Sequence, residues 1–124
     1  MAKKLVRLTT HQIIDETVAF YEKNIRAKQD NWCEYLTDDG RMCAVGRCLT
    51  PKSLQIAQTE FGGKDFGSLN LNRIKFKAQY TGKCDDFWSS LQSLHDSEKY
   101  WNGNHLSYMG EIKVKALKER FANI

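Results

Sequence analysis

The chain has 124 residues, 41% hydrophobic and 27% charged, a balance that suits one soluble globular domain over 1–124 and excludes wholesale disorder. No apolar run approaches the ~18 residues of a membrane helix. The start, Met-Ala-Lys-Lys-Leu-Val-Arg-Leu, lacks the hydrophobic stretch and cleavage site of a secretory signal, so a cytoplasmic protein is expected. The net charge of +4 is mild and its basic and acidic blocks interleave. That disfavours a nucleic-acid coat and leaves an anionic small ligand or an acidic protein partner open.

Thr9-Thr10-His11-Gln12 reads as a capping box, and Ile13, Ile14, Val18, Tyr21 and Ile25 behind it recur at helical spacing, predicting a helix over about 10–28. Two β-compatible pieces, 32–36 and 41–45, flank Asp39-Gly40, a strong turn signal, so a hairpin over about 32–46 is expected. That hairpin would make Cys33 and Cys43 near cross-strand neighbours, with Gly46 breaking the strand or permitting close backbone approach. Thr50-Pro51 starts a short helix over about 51–61, and residues 62–71 read as a loop able to cover a site. Residues 73–80 alternate, with Ile74, Phe76, Ala78 and Tyr80 on one face and Arg73, Lys75, Lys77 and Gln79 on the other, as in a half-buried edge strand. Asp85-Asp86 opens a third helix, to about Tyr100, that places Phe87, Trp88, Leu91, Leu94 and His95 on one face. Ser107 caps a last helix, about 108–122, whose apolar positions are Met109, Ile112, Ala116, Leu117 and Phe121. The fold class is α+β: a small antiparallel sheet, made of the hairpin and the 73–80 strand, packed against four helices.

The four cysteines, Cys33, Cys43, Cys48 and Cys84, include no Cys-x-x-Cys pair, and without a secretory signal reduced thiols are expected. Cys33, Cys43, Cys48 and His95 are the set a zinc ion would use, but their spacing fits no zinc template, so no metal or other cofactor is assigned. Small buried hydrophobes are the favoured reading for Cys33, Cys43 and Cys84.

Cys33-Glu-Tyr35, then Asp39-Gly40-Arg41-Met-Cys43-Ala44-Val45-Gly46, then Leu91-Gln92-Ser-Leu94-His95-Asp96, resembles a family of small phage-type proteins with the pattern Cys-x-Tyr, Asp-Gly-x-x-Cys-Ala-Val-Gly and Leu-Gln-x-x-His-Asp. The likeness is strong over 33–49 and 91–96. Where many members carry a cysteine directly after Val-Gly, this chain has Arg47 and then Cys48. The resemblance implies a viral accessory protein in the host cytoplasm, and no particular chemistry.

Three readings of the same residues follow. As an enzyme, Cys43 or Cys33 would be a nucleophile activated by His95, with Asp96 as the acid nearby. Consecutive helical residues point about 100° apart, so Asp96 is not expected to orient His95 easily. As a pocket, Tyr35, Arg41, Arg47 and His95, with Trp32 and Trp88 near them in sequence, would hold a nucleotide-like molecule by guanidinium–phosphate pairing and stacking. As structure, the motif makes a turn and a core, and function lies on the surface. Tyr100, Trp101, Tyr108 and Met109 are then a candidate protein contact, compatible with a homodimer or a foreign partner. The preferred expectation is a non-enzymatic binder that sequesters a nucleotide-like signal or blocks a host defence protein. The thiol enzyme is the alternative, and nucleic-acid binding through Arg73, Lys75 and Lys77 is the weakest reading.

Overall fold

The computed structural model describes residues 7–23, 28–29, 32–33, 35–37, 40–61 and 74–124. Helix α1 (Thr10–Lys23) starts at the expected capping box. Thr9 N–H donates to Gln12 Oε1 at 2.9 Å while Gln12 N–H donates to Thr9 Oγ1 at 3.2 Å, so two end donors satisfy each other's side chains. The helix buries Ile13, Ile14, Thr17 and Tyr21. It does not continue to residue 28: Lys28–Gln29 forms strand β1, paired antiparallel with β2 (Trp32–Cys33) in the register Lys28↔Cys33.

Beyond β2 the chain folds back at Thr37–Arg41. Thr37 N–H donates to Arg41 O at 2.8 Å, Gly40 N–H donates to Thr37 O at 3.0 Å, and Leu36 bridges Met42. The tight turn at Gly40 is therefore present, but the hairpin partner of Cys43 is Tyr35, whose carbonyl accepts Cys43 N–H at 3.3 Å. Cys33 instead pairs across β1, because the 28–33 ribbon claims it. A short 3-10 turn, Gly46–Cys48, then passes under Tyr35. A side-chain carbon on Gly46 would stand 2.4 Å from Tyr35 O and 3.0 Å from Leu54 Cδ1, so only glycine lets the two backbones approach.

Helix α2 (Pro51–Phe61) is capped by Thr50, whose Oγ1 accepts Ser53 N–H at 3.3 Å. The expected strand over 73–80 reduces to one bridge, Leu49↔Phe76, flanked by Thr50 N–H to Lys75 O (3.0 Å) and Lys77 N–H to Cys48 O (2.8 Å). Ala78–Tyr80 then turns into a 3-10 helix, which leaves Ala78 exposed and buries Tyr80. Alternation alone cannot foresee this, because a single turn rotates the face after three residues. Arg73 and the proposed covering loop 62–71 lie outside the described residues.

Helix α3 (Asp85–Asp96) buries the expected face, Phe87, Trp88, Leu91, Leu94 and His95, but ends at Ser97 and gives way to a 3-10 turn, Glu98–Tyr100. A second ribbon, β3 (Trp101–Asn102) and β4 (His105–Leu106), leads to α4 (Tyr108–Arg120). Ser107 caps α4 as expected, its Oγ accepting Gly110 N–H at 3.1 Å. The apolar face of α4 is a correction: Met109, Ile112 and Ala116 are outside, while Gly110, Val114, Leu117 and Phe121 turn inward. Close approach selects this phase, since a carbon on Gly110 would lie 2.0 Å from Tyr100 O.

The molecule is therefore α+β, as expected in class; the described residues form four helices with small antiparallel ribbons, and among them there is far less sheet than expected. Helix α4 lies against α1, α3 and the 98–106 segment. His11 Nε2 sits 2.9 Å from the carbonyls of both Lys118 and Phe121, so its N–H caps the end of α4. Lys118–Asp15 (2.6 Å) and Arg120–Asp86 tie the same helix to α1 and α3.

Candidate functional site

Two polar clusters engage the segment 42–47. The first is carried by α3 and α1. Residues 92, 95 and 96 are one turn apart, and their side chains converge: His95 Nδ1 is 2.6 Å from Asp96 Oδ1, and Gln92 Nε2 donates to the same oxygen at 2.8 Å. Asp96 thus does orient His95, against expectation. It is the last residue of the helix, so no following turn holds it outward, and its carboxylate curls back along the axis. With Nδ1–H donated to the carboxylate, Nε2 is the basic nitrogen. Gln92 Oε1 accepts Val45 N–H at 3.1 Å, which locks the motif segment onto α3.

Tyr21 joins this cluster from α1. Its ring meets His95 edge-on at 4.9 Å, and its hydroxyl donates to Met42 O at 2.5 Å, next to Cys43. Burial first, and then Cys43, push the Tyr21 phenol well above its ordinary pKa. Cys43 Sγ accepts Gly46 N–H at 3.2 Å. Tyr35, Cys43 and His95 all have 0% exposure.

The second cluster surrounds Arg47, which is 6% exposed. Its Nη1 donates to Glu16 Oε1 (2.5 Å) and Tyr80 Oη (3.1 Å), and its Nη2 donates to Thr17 Oγ1 (3.0 Å). The guanidinium also lies over the rings of Phe20 (5.4 Å) and Tyr80 (5.5 Å). Tyr80 in turn donates to Glu16. Burial pushes the Cys48 thiol up to about 12 even though Arg47 pulls it down, which favours the protonated thiol at neutral pH.

Of the residues expected to bind a ligand, Tyr35, Arg47 and His95 are therefore interior groups. Arg41 is half-buried, on the turn above them. Trp88 stacks on Phe76 at 4.4 Å within the core. The side chains of Trp32 and Cys33 lie outside the described residues. Among the described residues no group of three His, Cys, Asp or Glu side chains is placed to hold a metal ion; Cys43 is buried as expected, but Cys84 is a correction, exposed just before α3. Sequence reasoning missed Tyr21 and Gln92. The i, i+3, i+4 spacing of Gln92, His95 and Asp96 was the available signal for Gln92; nothing in the sequence links Glu16 to Arg47.

The aromatic surface cluster divides. Trp101 is buried, its Nε1–H donating to Leu94 O at 2.8 Å, and Tyr100 is half-buried. Tyr108 is 76% exposed, and Met109 and Ile112 are 48% and 46% exposed, at positions i, i+1 and i+4 of α4. Comparison with protein-family models, curated proteins and solved structures finds no match.

Proposed function

We propose that this is a small phage-type accessory protein that acts by binding, blocking a host defence protein through the Tyr108–Met109–Ile112 face of α4. The observation that carries this reading is the contrast between inside and outside. Arg47, the buried guanidinium that would grip a phosphate, is engaged by Glu16, Thr17 and Tyr80, whereas three large apolar side chains of α4 face solvent together. A phosphate reaching Arg47 would have to displace Glu16. Large apolar side chains clustered on one exposed helix face mark protein contacts. No helix among the described residues is long and apolar enough to cross a membrane, and the host cytoplasm is the proposed setting. Affinity capture from defence-bearing host cells tests the reading. Wild type should retain a defined host protein that Tyr108→Asp and Ile112→Glu both lose at unchanged Tm. A nucleotide that raises Tm, or capture indifferent to both substitutions, contradicts it.

Two observations favour the thiol enzyme as a second reading: His95 is oriented by Asp96, and Cys43 Sγ accepts a backbone N–H. That reading requires Cys43 to be reached from solvent. Alkylation of Cys43 in the folded protein, lost in His95→Gln, would support it; a Cys43 modified only on unfolding removes it.

A further inference from the structure

Away from both clusters, a cavity of about 170 Å³ lies where the start of α1, the turn before α3 and the segment after α4 converge. Its apolar wall includes Phe87 and Phe121, whose rings meet edge to face with centroids 5.5 Å apart. Lys83 and the exposed Cys84 stand at its rim. A second cation is close by: Arg7 Nη1 lies 3.3 Å from where a side-chain carbon on Gly82 would be.

Among the described residues no carboxylate pairs with Lys83 or Arg7; Asp86 is taken by Arg120, and Asp85 is exposed. The carbonyl of Ile124 accepts Thr10 N–H at 3.0 Å. Burial, and then the like charge of Arg7, hold the Lys83 ammonium below the ordinary lysine range. Two like charges beside an apolar hollow are stabilised by an anion with an apolar body. An apolar cavity of about 150 Å³ accommodates benzene, which sets the scale of that body at one ring.

We propose that this cavity binds a small single-ring monocarboxylate, with the ring against Phe87 and Phe121 and the carboxylate at Lys83 and Arg7. The test is a titration of the whole protein with a fluorinated phenylacetate, followed by fluorine NMR, with fluorotoluene as the neutral control. Wild type should bind the acid saturably and more tightly than the control. Lys83→Glu and Arg7→Glu should each weaken acid binding at least about threefold, the scale of an exposed ion pair, and leave the control unchanged. Ala122→Trp, which fills the cavity from its wall, should abolish binding of both. Arg7 is exposed, so its substitution stands as the readout should Lys83→Glu disturb the start of α3. Absence of saturable binding, control binding as tight as that of the acid, or indifference to both charge reversals would overturn the proposal.

Discussion

At the scale of single residues, Arg47 decides between the pocket reading and the structural one. Its planar fork reaches Glu16, Tyr80 and Thr17 at once, and a lysine ammonium on a single stem cannot. Arg47→Lys should therefore cost about 1–3 kcal/mol by urea denaturation, since buried partners lose their donors. An Arg47 that served only a ligand would leave the urea midpoint unchanged. The neighbouring thiol and phenol give a pH signature. Cys48 and Tyr80 are each raised to about 12 from ordinary values of 9.0 and 10.0, in both cases chiefly by burial. Above about pH 9 the unfolded chain therefore releases protons that the folded chain keeps, so stability is full below that pH and falls as pH rises towards 12. The slope is at most about 1.4 kcal/mol per pH unit for each group. Cys48→Ala should flatten the part that begins near pH 9, as read from Tm against pH; an unchanged slope would contradict the assignment.

At the scale of elements, Gly46 is where the motif segment meets Tyr35. Gly46→Ala forces a carbon to within 2.4 Å of a backbone carbonyl, and backbone cannot swing away as a side-chain tip can. A loss of more than about 2 kcal/mol in denaturant is expected; a neutral substitution would mean the two segments are not in contact. The helices were legible because their signals are local: the Thr9–Gln12 box, Thr50-Pro51 and Ser107 each cap the helix they announce. The inner face of α4 was not legible, because Met109 and Ile112 carry more apolar weight than Gly110 and Val114. Only the passage of Tyr100 against Gly110 selects the other phase. The end of the 73–80 strand was not legible for a similar reason, because Ala78–Tyr80 turns back over Arg47 while the sequence goes on alternating.

At the scale of the whole molecule, the burial of His95 was foreseeable from its place on the apolar face of the third helix, and that of Cys43 from its small apolar character. Their connection through Tyr21 and Gln92 was not, because it joins segments far apart in the chain. The arrangement orders the thiols by access. In the folded protein iodoacetamide should modify Cys84 and spare Cys43 and Cys48, which become reactive only in denaturant, as peptide mapping would read. Rapid modification of Cys43 in the native state would reopen the catalytic reading.

The claim that the protein works by binding through its surface is tested most directly by native mass spectrometry of the protein purified from defence-bearing host cells. The account predicts a complex with a host protein that Ile112→Glu dissolves, and a dissociated chain carrying neither a nucleotide mass nor an adduct on Cys43. A nucleotide retained by wild type and Ile112→Glu alike, or a covalent adduct on Cys43, would contradict it.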